Sequence, residues 1–305
     1  MLTYAIGMMC RNPFVKDSSG RIFKASLLSG NLELAVGAIP FPCGQCLPCR
    51  INKRRVWTHR LMLESFCHDL SCFVTLTYDD EHISENHSLV KRDVQLFMKR
   101  LRKAFEPRKI RYYLAGEYGE TTSRPHYHAI LFGVGISDGE VIGNCWPHGH
   151  TMVGTCSRES IQYVAGYVTK KCVGKSDALG RLPEFSFMSR KPGIGAPALD
   201  NVVALMSNPQ FQRYINIKGD VPDGLLHASK FMPFGRYLKD KLRKSLEVDY
   251  SPDSFIREIR DKFYVWKQED DKRNEKFVDF LVSESTPKAE RQKARYKIFN
   301  RRNKL

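Results

Sequence analysis

Between Ile110 and Phe132 the chain carries two strand-like runs separated by one polar segment. Ile110 to Tyr118 and His126 to Phe132 are rich in aromatic, aliphatic and small residues, as buried strands are. Gly119 to Pro125 between them is polar, with Gly and Pro at its ends, which marks a turn or loop. Read as a hairpin loop, it brings the second run back beside the first. A strand sends alternate side chains to one face, so His126 and His128 point the same way and Tyr127 points the other way. The two imidazoles then stand about 7 Å apart along the strand.

A third ligand lies on the first run. Hairpin parity allows Glu117 to face either His126 or His128. Two histidines and one carboxylate form a mixed nitrogen and oxygen set that suits Mg²⁺ or Mn²⁺ and also accepts Zn²⁺. Such a set leaves positions open for substrate oxygens, the Lewis-acid role in phosphoryl chemistry. The plainer reading of His126 and His128 is two polar residues on a half-exposed strand.

Charge narrows the partner. Among 305 residues, 49 Lys and Arg stand against 33 Asp and Glu, a net of +16. That excess favours a polyanion, because phosphate contacts release counterions. An anionic membrane surface or plain solubility would use it as well. The hydrophobic share of 42% supports a packed core and excludes global disorder. No apolar run approaches the roughly 18 residues that span a bilayer, and Met1 to Ile6 lacks the basic start of a signal peptide. A cytosolic protein with reduced thiols is expected.

The remaining pattern gives three regions: a cysteine-rich segment and basic helix over 1–68, a core over 69–175, and a mostly helical basic region over 176–305. Residues 1–49 read as irregular, and a helix follows through Phe66. Phe73 to Tyr78 reads as a strand, and Val90 to Phe105 as a helix with Val94, Phe97 and Leu101 on its apolar face. Ser157 to Cys172 reads as a helix with Ser157 as N-cap. Residues 174–200 read as loop and 226–282 as mostly helical. The tail from Thr286 onward carries eight Lys or Arg against Glu290, a basic arm.

The 157–172 helix holds a second set of polar groups. At 100° per residue, Tyr163, Tyr167 and Lys170 cluster away from the stripe of Ile161, Val164, Ala165 and Val168. A phenol needs a nearby cation to attack as phenolate, since its pKa is about 10. Lys170, Lys171 and a bound metal would supply one. Attack on a phosphodiester would store the bond as phosphotyrosine. Gly166 would let a nucleic-acid strand come close. The plainer reading has both tyrosines at the core edge with hydroxyls in water.

Cys43-x-x-Cys46-x-x-Cys49 offers three thiolates, and structural zinc takes four ligands. Cys10, His59 or Cys67 could complete the set. Reduced structural thiols, redox-sensitive thiols and an iron–sulfur centre are the other readings. Lys53, Arg54, Arg55 and Arg124 are the expected DNA contacts.

Three ordered segments resemble the motifs of HUH endonucleases, the superfamily of rolling-circle replication initiators. They are Phe73–Tyr78, Arg124-Pro125-His126-Tyr127-His128-Ala129-Ile130-Leu131-Phe132 and Tyr163-Val164-Ala165-Gly166-Tyr167-Val168-Thr169-Lys170-Lys171. Cys43 to Arg50, Gly116 to Gly119, Trp146 to Gly149 and Met188 to Gly195 resemble the initiators of gokushovirus-type microviruses. The resemblance implies an α+β fold, with a ferredoxin-like or RRM-like antiparallel sheet and helices on one face. It implies Mg²⁺ or Mn²⁺ at the histidine pair and nicking of an origin in single-stranded DNA by tyrosine, with the 5′ end joined to protein. It implies a host polymerase and helicase as partners, no membrane, and the host cytoplasm as the place of action. A related transposase or relaxase, or a non-catalytic zinc-stabilised DNA-binding protein, is the alternative.

Overall fold

The computed structural model describes residues 10, 13–17, 19–24, 39–119, 122–170, 179–248 and a few positions between 287 and 294. The chain divides into two compact units. One comprises Met1–Lys53, Ser207–Asp223 and Leu242–Leu305, and the other Arg54–Met206 and Gly224–Lys241.

The first unit opens with three short strands, β1 (Phe14–Lys16), β2 (Ile22–Lys24) and β3 (Ile39–Phe41), paired antiparallel in the order β2-β1-β3. This sheet corrects the irregular reading of residues 1–49. Helix α1 (Leu47–Ser65) follows.

The second unit is built on β4 (Ser71–Thr77), helix α2 (Lys91–Ala104), β5 (Arg111–Tyr118), β6 (Pro125–Phe132), the short helix α3 (Gly139–Asn144), β7 (Thr151–Thr155), helix α4 (Arg158–Lys170) and β8 (Phe185–Met188). Its five strands form an antiparallel sheet in the order β7-β4-β6-β5-β8. The fold is α+β, as expected. Helices α5 (Leu199–Met206) and α6 (Pro209–Lys218), a hairpin of β9 (Gly224–His227) and β10 (Lys230–Pro233), and helix α7 (Gly235–Ser245) come later in the chain. The hairpin corrects the helical reading of 226–282 over its first residues. Positions 249–286 of that reading lie outside the described residues.

Helices cover both faces of the sheet, not the one face that the resemblance implied. On one face Tyr127, Ala129 and Leu131 of β6 pack with Val94, Phe97, Met98 and Leu101 of α2 and with Trp146. On the other, Tyr113, Ala115, Ile130 and Phe132 pack with Leu61 of α1 and Ile161, Val164 and Ala165 of α4. The cause lies in β5 and β6. Their central residues are apolar without alternation and almost all buried, and a strand buried on both faces needs a layer on each side.

The Trp146–Gly149 motif is structural. The Trp146 indole N–H donates to the Thr77 carbonyl at 3.0 Å, and the Asp79 N–H donates to the His148 carbonyl at 3.0 Å. Gly149 lies at φ +140, and a Cβ there would sit 2.3 Å from the Asp79 nitrogen and 2.6 Å from the Thr77 oxygen. Both obstacles are backbone at the end of a central strand, so neither can yield cheaply. Gly149→Ala should therefore cost about 3 kcal/mol of unfolding free energy, from backbone strain and overpacking together. A denaturant midpoint equal to that of the parent chain would remove this role.

Candidate active site

The register of β5 and β6 settles the parity left open by the sequence. Glu117 pairs with His126, and Ala115 with His128. Paired residues share a face, so Glu117, His126 and His128 stand on the α4 side of the sheet. Glu117 reaches diagonally: its Oε1 lies 3.1 Å from His128 Nε2, and both side chains are buried. From the opposite neighbour, β4, Thr75 pairs with His128 and places Oγ1 3.0 Å from Nδ1. Both ring nitrogens of His128 are thus held by flanking strands.

Helix α4 lies over this face. Ser157 and Ser160 cap its start reciprocally, with Ser160 N–H donating to Ser157 Oγ at 3.2 Å and Ser157 N–H donating to Ser160 Oγ at 2.8 Å. The Tyr167 ring is stacked on His128, with centroids 5.0 Å apart and planes within 4°. Tyr163 stands edge-on to both, 5.2 Å from His128 and 5.0 Å from Tyr167. Phe73 of β4 closes the cluster, 6.1 Å from Tyr163.

The tyrosines do not share the exposed position expected of them. Tyr163 is 43% exposed, whereas Tyr167 is 4% exposed and belongs to the core. On the helical wheel Tyr167 lies only about 60° from Val164, at the edge of the apolar stripe. Burial pushes the Tyr167 phenol well above its ordinary pKa, and the Glu117 charge pushes it further. Burial and the neighbouring His128 lower that of His126.

His126 shares the face but not the contact. Its ring centroid is 6.4 Å from that of His128, and its Nε2 lies 3.1 Å from where a Gly119 Cβ would be. Among the described residues, the cysteines alone bring three or more ligand atoms within 4.8 Å of one another. The residues nonetheless fit a small divalent cation. Two ligands at right angles in an octahedron lie about 3 Å apart, as Glu117 Oε1 and His128 Nε2 do.

The other expected residues are placed as follows. Arg54 donates to the Gln162 carbonyl at 3.1 Å, and its guanidinium lies 3.6 Å from where a Gly166 Cβ would be. The group that approaches Gly166 is therefore Arg54. Arg55 donates to the Phe231 carbonyl at 2.8 Å. Arg124 pairs with Asp80 at 2.7 Å and donates to the Tyr78 carbonyl at 3.0 Å. Lys53 is exposed on α1. Lys170 ends α4, but its side chain and all of Lys171 lie outside the described residues. In the first unit, Cys10 joins Cys43, Cys46 and Cys49. His59 instead contacts the Pro233 carbonyl at 3.0 Å, and Cys67 the Leu63 carbonyl at 3.6 Å. Sequence reasoning missed Thr75 and Phe73 as neighbours of His128. Their alternation along β4 puts them on one face, but only strand pairing shows that the face is the histidine face.

Residues 71–172, which contain β4, the histidine strand and the tyrosines of α4, match the family described as Replication-associated protein ORF2. That segment belongs to the family. The chain is similar to replication-associated protein VP4 of Bdellovibrio phage phiMH2K, 32% identical over 189 residues, covering 55% of this chain and 60% of the relative. It is similar to replication-associated protein ORF2 of Spiroplasma virus 4, 35% identical over 179 residues, covering 50% and 55%. Replication-associated protein ORF4 of Chlamydia phage 1 is 27% identical over 244 residues, covering 73% and 58%. The chain thus spans less than two thirds of the length of each of these relatives. No solved structure matches it. Among the described residues, no helix is long and apolar enough to cross a membrane.

Proposed function

We propose that the chain initiates replication of a single-stranded DNA phage genome by nicking and rejoining the origin strand through tyrosine. The observation that carries this reading is the ring cluster itself. Two phenols, one 43% exposed, stand edge-on and stacked against a histidine that is hydrogen-bonded to a carboxylate. The names of the matched relatives support a replication role.

Glu117, His126 and His128 would hold Mg²⁺ or Mn²⁺, which when bound supplies Lewis-acid polarisation of the scissile phosphate. The chain's own groups do the rest. Thr75 Oγ1 accepts the Nδ1 proton of His128, which leaves the Nε2 lone pair facing Glu117. The Tyr163 oxygen attacks phosphorus first, because it is the phenol that reaches solvent. Its proton leaves to water as the O–P bond forms. The bond from phosphorus to the 3′ oxygen breaks, giving a 5′-phosphotyrosine and a free 3′ hydroxyl. A host polymerase extends that hydroxyl while a helicase opens the duplex, in the host cytoplasm. Tyr167 then makes the second cut while the new 3′ end attacks the first phosphotyrosine and closes a circle.

The test uses single-stranded oligonucleotides tiled across the phage genome, with Mg²⁺ or Mn²⁺, on a denaturing gel. One oligonucleotide should yield a cleaved fragment and a protein–DNA adduct. No adduct with any oligonucleotide or either metal would leave DNA binding without cleavage and end this reading.

Thr75→Val gives a finer test. It keeps the shape of β4 and deletes the acceptor that fixes the His128 ring. Loss of such a partner weakens metal affinity about 10–100-fold. The Mn²⁺ concentration for half-maximal nicking should rise by that factor, with the rate restored at saturation. An unchanged midpoint would show that Thr75 does not orient the ring.

A further inference from the structure

We infer that Cys10, Cys43, Cys46 and Cys49 form a closed structural zinc site, outside the 71–172 segment that carries the family match. The four Sγ atoms all lie within 4.8 Å of one another. Cys43 and Cys49 sulfurs are 3.9 Å apart, as are Cys46 and Cys10. Zinc thiolate bonds of about 2.3 Å in a tetrahedron place the sulfurs about 3.8 Å apart, so both edges already have the spacing of a metal-filled site. A disulfide would need about 2.05 Å.

The backbone around the sulfurs suits thiolates. Gln45 and Cys46 N–H groups both donate to Cys43 Sγ at 3.4 Å, and Cys43 N–H donates to Cys10 Sγ at 3.3 Å. Gly44 makes the turn at φ +73, a conformation that favours glycine. The Cys46 carbonyl accepts the Arg50 N–H at 3.0 Å, which puts Cys46 at the N-cap of α1 and Cys49 in its first turn. The positive end of the helix thus faces two of the four sulfurs. Two ligands, Cys10 and Cys49, are buried.

Four protein thiolates fill a tetrahedral ion, so no position remains for water or substrate. The role is to tie residue 10 to the start of α1 across the small β1–β3 sheet, whose three-residue strands are too short to hold themselves. On binding, four thiols lose four protons to solvent and four Zn–S bonds form, with no change of oxidation state.

The full chain, purified under reducing conditions without added metal, should contain one zinc per chain by elemental analysis. A mercurial thiol reagent should release that zinc. Cobalt exchanged into the site should give the intense visible bands of a tetrahedral thiolate complex. Cys10→Ser should lose most of the zinc affinity, while Cys145→Ser, in the other unit, should keep all of it. Iron with a brown chromophore, two disulfides in place of four thiols, or full zinc retention in Cys10→Ser would each overturn the inference. The released-zinc and cobalt measurements use the unmutated chain, so they stand even if Cys10→Ser fails to fold. They also read the cysteines independently of DNA cleavage.

Discussion

Tyr163→Phe should abolish the first covalent adduct, while Tyr167→Phe should keep that adduct and lose the transfer step. The double substitution should show neither. Phenylalanine keeps the ring and its packing against His128 and removes one oxygen, so the fold should survive in each case. Loss of a nucleophile that has no substitute costs on the order of 10⁴-fold or more in rate, about 5.5 kcal/mol of barrier. The asymmetry comes from burial. Tyr163 is open to an incoming phosphate, whereas Tyr167 is covered and its phenol is held protonated by burial and by Glu117. Two oligonucleotides of different length and label separate the steps, because adduct formation reports the first cut and exchanged ends report the second. Adduct loss in Tyr167→Phe alone would reverse the order of the tyrosines. An adduct in the double variant would remove tyrosine from the mechanism.

The central hairpin was legible because β5 and β6 carry long apolar runs bounded by a polar loop, and because residue parity ties Glu117 to the histidines. Helix α2 was legible for a similar reason, with Val94, Phe97 and Leu101 recurring at helical spacing over a charged face. The edges of the sheet were not. β7 and β8 are short and mostly half-buried or exposed, so neither shows an apolar alternation. The β9–β10 hairpin escaped for another reason. Its turn residue Ala228 has φ 53, and no Gly, Asn or Asp marks the bend. The three-residue strands of the first sheet carry too little pattern to read.

The site was half legible. Residue types and spacing brought Glu117, His126 and His128 to one face and both tyrosines to one helix. They did not show that Tyr167 sits under the helix and Tyr163 at its rim. A wheel separates apolar from polar stripes, but the face opposite α4 is itself polar and aromatic. Against Phe73, Thr75 and His128, an aromatic phenol is the residue that fits, so the rule that the aliphatic stripe alone faces the sheet fails here. Arg54 and Gly166 show the same limit. A basic residue beside a helical glycine suggested contact with DNA, yet the guanidinium uses the missing Cβ to reach the Gln162 carbonyl.

Glu117→Gln should separate stability from cation binding at this site. Glu117 is 5% exposed, and its Oε1 is hydrogen-bonded to His128. A buried carboxylate is costly to desolvate, and glutamine has nearly the same shape and keeps an oxygen or an amide for the His128 ring. The metal-free variant should therefore unfold at the same temperature as the parent chain or higher. Cation binding should change the other way, because the substitution replaces the one anionic ligand of the set with a neutral amide. A ligand that binds only the folded state stabilises it by about 2.7 kcal/mol at 100 times its dissociation constant. Millimolar Mn²⁺ should raise the unfolding temperature of the parent chain and leave that of Glu117→Gln unmoved, with nicking lost in parallel. His128→Ala should lose the same response but also destabilise the chain, since it empties the space between Tyr167 and the sheet. An equal Mn²⁺ shift in Glu117→Gln and the parent chain would place the cation elsewhere. The contrast between the two variants identifies a carboxylate kept buried for its charge, at a position where packing alone would favour a neutral side chain.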